Sequence, residues 1–127
     1  MNMSVTWSDT TPIYLQLKER IVAMILDGLL KPGDAAPSVR QVAADYQLNP
    51  ITVSRAYQEL ADENIVEKRR GLGMFVTEGA PQQLLASERQ QFLTQEWPAI
   101  VERINRLGLA WETLRAQIET ASAGDTP

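Results

Sequence analysis

Cysteine and histidine are both missing from this 127-residue chain. Without cysteine there is no disulfide and no thiolate metal site. Without histidine there is no Ser-His or Cys-His nucleophile pair, and the commonest metal ligand is gone. Carboxylate-only chemistry stays formally open, but no convergent carboxylate pair stands out, so neither an enzyme nor a cofactor is expected. Long apolar runs are missing too, and nothing approaches the roughly 18 residues of a membrane span. The opening MNMSVTWSD has neither the basic nor the apolar region of a signal peptide. These absences point to a soluble cytoplasmic protein with no membrane partner.

An excess of positive charge is also lacking. The net charge is −4, and neither half escapes it. Residues 1–78 hold 8 Lys/Arg against 10 Asp/Glu, and residues 79–127 hold 4 against 6. A generally adhesive nucleic-acid binder is therefore excluded. Any such contact has to come from positives gathered on one face, which directs attention to Arg40, Arg55, Lys68, Arg69 and Arg70.

The length fits one domain plus a small appendage, and 44% hydrophobic residues is ordinary for a globular protein. The stretch TTPIYLQLKERIVAMILDG predicts a first helix, with Thr11 as cap and Pro12 at the first helical position. Ile13, Leu17, Ile21 and Ile25 form its buried stripe, with Met24 alongside. Gly28 ends it, and KPGD reads as a turn. PSVRQVAADYQL predicts a short second helix, with Ser38 and Gln41 at capping-box spacing and Val42, Ala43 and Tyr46 facing inward. NPITVSRAYQELADEN predicts a third, capped by Asn49 with Pro50 next. Val53, Ala56, Tyr57 and Leu60 make its apolar face, and Ile51, Arg55, Gln58 and Asp62 fall opposite.

The period then changes. Ile65–Val66 and Phe75–Val76 bracket a Gly-containing centre, which is a hairpin signal whose tip holds Arg69, Arg70, Gly71, Leu72 and Gly73. A Gly-x-Gly pair beside three basic residues is not enough for a nucleotide cradle, which needs a third glycine, a strand before it and a helix opening after it. Helix, helix, short turn, helix and hairpin make a winged helix-turn-helix.

From Ala80 to about Ala121 the pattern is helical again. Leu85, Phe92, Leu93, Trp97, Ile100, Val101, Ile104 and Leu107 form a stripe, with a kink or break expected near Trp97 because of Pro98. Gly108 ends that helix, and a last one uses Trp111, Leu114 and Ile118. SAGDTP reads as a frayed end. Two helices in some forty residues cannot bury this much apolar surface alone, so they must pack on the head or on a second copy.

From Pro12 to Val76 the chain resembles the DNA-binding head of the GntR family of bacterial transcription regulators. The resemblance rests on GLLKPGD, PSVR, NPITVSRAY and RRGLGMFV, taken in that order. The Asn-Pro-x-Thr-Val variant and the short tail resemble the YtrA-type subfamily, whose members dimerise through two C-terminal helices. The sequence departs from the family pattern at Ala36, Gln47, Asn64, Met74 and Ala110, where leucine, glycine, glycine, threonine and serine are usual. The resemblance implies a mostly α fold with a small β-hairpin: a winged helix-turn-helix head over residues 1–78 and a two-helix dimerisation tail over residues 79–127. It implies that Arg40 contacts phosphate or guanine, and that Asn49, Ile51, Thr52, Ser54 and Arg55 face the major groove. Arg69, Arg70, Gly71 and Gly73 would form the wing. Phe92, Trp97, Ile100, Val101, Ile104, Leu107, Trp111, Leu114 and Ile118 would line the dimer interface.

Plainer roles stand beside these. Arg55 could pair with Glu59, Arg40 with Asp45, and Arg69 and Arg70 could be a solvated turn. Trp97 and Trp111 fit interface packing better than a ligand cage. The expected function is a homodimeric repressor on a double-stranded operator with inverted repeats. A winged-helix protein-interaction module is the alternative suggested by the acidic balance. The tail is too small to enclose a pocket within one chain, but an unidentified small-molecule effector could still bind between heads and tails or at the dimer interface.

Overall fold

The structure is a computed structural model that describes residues 6–124. In chain order it contains α1 (Ile13–Leu26), α2 (Val39–Tyr46), α3 (Pro50–Asp62), β1 (Val66–Arg69), β2 (Gly73–Val76), α4 (Ala80–Gln91), α5 (Trp97–Leu107) and α6 (Trp111–Gly124). A π-helical stretch, Phe92–Glu96, joins α4 to α5. The mostly helical fold with a two-stranded hairpin agrees with the sequence reading. The chain divides into two compact units that meet between Ser87 and Glu88, within α4.

In the first unit, α1 begins one residue later than expected. Pro12, not Thr11, is the cap residue, and its carbonyl accepts the Leu15 and Gln16 amides. Leu17, Ile21 and Ile25 are buried, but Ile13 at the helix start is 38% exposed, since the stripe reaches the core only from the second turn. Ser38 caps α2 by accepting from the Gln41 amide at 3.1 Å. Asn49 caps α3, with Oδ1 accepting from the Ile51 amide at 2.9 Å and Pro50 in the first turn. The turn from α2 to α3 needs a left-handed residue at Gln47 (φ 55°), a conformation that disfavours a Cβ by about 1–2 kcal/mol. Asn64 (φ 62°) holds the same conformation more easily, because its short amide can bond locally.

Val53, Ala56, Tyr57 and Leu60 are buried against α1 and α2, as the periodicity demands. Each large one contributes about 1.5–3 kcal/mol relative to exposure. The Tyr57 hydroxyl donates to the Pro37 carbonyl, which ties the start of α2 to the middle of α3. Burial, aided by the charge of Tyr46, pushes the Tyr57 phenol above its ordinary pKa. The hairpin pairs Val66 with Val76 and Arg69 with Gly73. KPGD does more than turn. Gly33 donates to the Val76 carbonyl (2.8 Å), Val76 to Asp34 (2.9 Å) and Ala36 to Met74 (2.8 Å), so the segment ahead of α2 edges the hairpin. Ala80 and Leu84 of α4 complete this core.

In the second unit, Pro98 lies at the start of α5 and cannot donate to the preceding turn. The helix answers with a π stretch rather than a break, and the Trp97 amide reaches back five residues to the Phe92 carbonyl. Gly108 (φ 65°) caps α5 as expected. The last helix runs to Gly124 and takes in Ser122 and Ala123 of the stretch expected to fray. The rest of that stretch, Asp125–Pro127, lies outside the described residues. None of the described side chains from Glu88 onward is buried. Among the described residues no helix is long and apolar enough to cross a membrane.

Candidate nucleic-acid interface

Two caps and a turn position the candidate residues of the helix-turn-helix. Ser38 starts α2, so Arg40 falls in its first turn, exposed and without an ion pair among the described residues. Its suspected pairing with Asp45 does not form. Asn49 starts α3, which puts Ile51, Thr52, Ser54 and Arg55 in the first two turns. Ile51 is 76% exposed, Ser54 and Arg55 are exposed, and Thr52 is half-buried. The first turn of α3 offers amides that a phosphate could accept from, although Asn49 already engages one of them.

Arg55 does not pair with Glu59. Its guanidinium lies 3.9 Å over the Tyr14 ring of α1. Glu59 instead pairs with Lys18 of α1 at 3.2 Å, and Glu63 pairs with the same ammonium. Sequence reasoning does not single out Tyr14, because the spacing rules that flag a partner are local and this partner comes from another helix.

The wing separates its two arginines. Arg69 donates to Glu67 Oε1 through Nη2 at 3.0 Å and Nε at 3.3 Å, and its guanidinium lies 4.2 Å over the Phe75 ring. Arg70 and Lys68 are exposed and make no such contact among the described residues. The tip turns through Gly71 (φ 77°) and Gly73 (φ 109°), conformations that suit glycine and leave the backbone open to close approach. Leu72 sits between them, 71% exposed. A groove of about 370 Å³ runs between the start of α2, α3 and the hairpin, lined in part by Ser54, Gln58, Lys68, Leu72 and Met74. A second cavity of about 370 Å³ lies between α1 and α2, over Tyr46 and Tyr57. Both concavities are lined by head residues alone.

The nine residues expected at a dimer interface all lie in the second unit. Phe92, Ile100, Leu107, Trp111 and Ile118 are exposed, while Trp97, Val101, Ile104 and Leu114 are half-buried. The Phe92 and Trp97 rings sit 6.2 Å apart across the π stretch.

The family profile described as "Bacterial regulatory proteins, gntR family" matches residues 13–76, from the start of α1 to the end of β2. The HTH-type transcriptional repressor YtrA of Bacillus subtilis is 37% identical over 114 residues, covering 90% of this chain and 87% of that protein. The HTH-type transcriptional regulator YhcF of the same species is 36% identical over 123 residues, covering 96% and 99%. A solved GntR family transcriptional regulator from Listeria monocytogenes superposes with a TM-score of 0.74 at 30% identity, covering 90% of this chain and 98% of that one. The matched head, the matched length and the shared tail agree: the chain belongs to the gntR family of bacterial regulatory proteins and to its YtrA-type subfamily.

Proposed function

We propose that the chain represses transcription in the cytoplasm as a homodimer seated on an inverted-repeat operator. It is a DNA-binding transcription regulator, and the observation that carries this is the outward face of α3. That face presents Ile51, Ser54 and Arg55 beside a wing with Arg70 and two glycines, on a head that the family profile matches over residues 13–76. In the proposed assignment α3 enters the major groove. Ile51 meets a thymine methyl, Arg55 takes guanine or phosphate, and Asn49, Thr52 and Ser54 fix the register. Arg40 and Arg70 contact phosphate, Gly71 and Gly73 let the wing backbone approach the duplex, and Arg69 joins if it leaves Glu67. Most of these contacts position the protein, and few specify sequence.

Dimerisation is assigned to the second unit. Its apolar stripe, from Phe92 and Trp97 through Ile104 and Leu107 to Trp111 and Ile118, has no buried member within one chain. Two-fold pairing would bury it and present two recognition helices to two half-sites. Footprinting on a duplex that the wild-type chain selects from a random library tests this. Two protected half-sites, about one helical turn (34–36 Å) or a multiple apart, with two chains bound per duplex, are expected. A single protected site with one chain bound would refute the dimeric assignment.

A further inference from the structure

Spacing alone would set Arg55 against Glu59, one turn further along the same face of α3. α1 prevents this. Tyr14 and Lys18 are also one turn apart, and they meet α3 as a matched pair of contacts: ring to guanidinium at 3.9 Å, ammonium to the Glu59 carboxylate at 3.2 Å. Glu63 also pairs with the same ammonium. Burial alone would lower the Lys18 pKa, but the hydrogen bonds and charges of Glu63 and Glu59 outweigh it and hold the group above its ordinary value. The ammonium therefore stays charged at neutral pH.

The two contacts leave different parts of an arginine available. Stacking on a ring uses the face of the guanidinium and leaves its five in-plane N–H donors free. A carboxylate uses the edge. Arg69 makes both contacts, its face over Phe75 and its Nε and Nη2 edge given to Glu67. Arg55 makes the first. Resting on the DNA-binding reading above, we infer that Tyr14 and Lys18 are positioning residues for Arg55: the ring fixes the guanidinium plane, and the ammonium withholds Glu59 from its donor edge. Neither residue needs to touch DNA to do this. The Lys18 side chain is only 20% exposed, held between α1 and α3.

Titration of the library-selected duplex at one fixed salt concentration tests the inference. Arg55→Ala is expected to weaken binding about tenfold. Tyr14→Leu should cost about three- to fivefold, the worth of an exposed cation–π contact. Tyr14→Trp, which keeps a ring, should stay within about twofold of wild type. In the Arg55→Ala background, Tyr14→Leu should add less than about twofold, because the residue it serves is gone. Lys18→Met should weaken binding about two- to fivefold in the wild-type background and not at all on top of Glu59→Gln. That last comparison separates withholding a carboxylate from a direct Lys18–phosphate contact, which Glu59→Gln could not rescue. Melting curves identify any variant that fails to fold. Should Tyr14→Leu be one, Tyr14→Trp and the Lys18/Glu59 pair still decide the matter. Equal losses for Tyr14→Leu and Tyr14→Trp, multiplying losses for Tyr14 and Arg55, or a Lys18→Met loss that survives Glu59→Gln would overturn the inference. A wild-type chain that selects no sequence from the library would instead overturn the DNA-binding reading beneath it.

Discussion

In the head, the apolar faces of α1, α2 and α3 close on one another, and Val53, Ala56 and Leu60 have no exposed surface left. In the second unit, helices with an apolar stripe of their own fully bury no described side chain, and Trp111, Leu107 and Ile118 each keep more than half their surface. Both regions are amphipathic, and they differ in whether the chain supplies the opposing face. The head's stripes are complementary to each other, so its fold is self-sufficient and its outer face is free to carry Arg40, Ile51 and Arg55. The second unit's stripes find no opposing face within that unit, and the proposed dimer would supply one.

The largest way to break this comparison is inside the head. Leu60→Ala is expected to destabilise the head by about 2–5 kcal/mol, because the cavity it leaves lies in a fully packed core. A urea midpoint that hardly moves would mean the core is looser than its burial suggests. The matching substitution in the second unit, Ile104→Glu, should leave the head's unfolding midpoint unchanged yet weaken self-association by about 2 kcal/mol or more, as read by sedimentation equilibrium. If it lowers the head's midpoint instead and leaves association alone, the stripe belongs to the monomer and the contrast is lost. Smaller effects sharpen the picture within the head. Asn49→Ala removes the α3 cap and should cost about 0.5–2 kcal/mol of stability, together with a loss of DNA affinity as the first turn frays. Glu67→Ala is expected to change stability by less than about 1 kcal/mol, since the pair with Arg69 is exposed. It should strengthen DNA binding slightly by freeing the Arg69 donor edge, and weaker binding in a titration would argue that Glu67 orients Arg69 usefully.

The helix-turn-helix was legible in the sequence because its signals are local. Ser38, Asn49 and Pro50 mark helix starts within a few residues, and Val53, Ala56, Tyr57 and Leu60 repeat at the helical period. The hairpin was legible for the same reason, through β-type pairs around Gly71 and Gly73. The features that escaped are those that packing decides. The edge at Ala35 is a single bridge to Phe75 with no signature of its own, so KPGD reads only as a turn. The π stretch before Pro98 is one of several ways a helix can absorb a missing donor, and the sequence does not choose among them. The Arg55 contact went furthest from expectation. The i,i+4 rule offers Glu59, but α1 brings a ring to Arg55 and an ammonium to Glu59, and tertiary packing overrides the local pair. In the wing, Arg69 and Arg70 are adjacent in sequence and look alike there. Strand alternation puts Glu67 and Arg69 on one face of β1, the register sets Phe75 opposite Glu67 and diagonal to Arg69, and Arg70 is left open.

A chain with a net charge of −4 that binds DNA must do so through a few positives focused on one face. The most direct test is the affinity of the wild-type chain for its selected duplex, measured from 50 to 200 mM salt. A dimer making roughly 6–10 phosphate contacts should lose on the order of 10³–10⁵ in affinity across that range. Affinity that stays flat over the same range, and is equally flat for Arg55→Ala, would contradict the account.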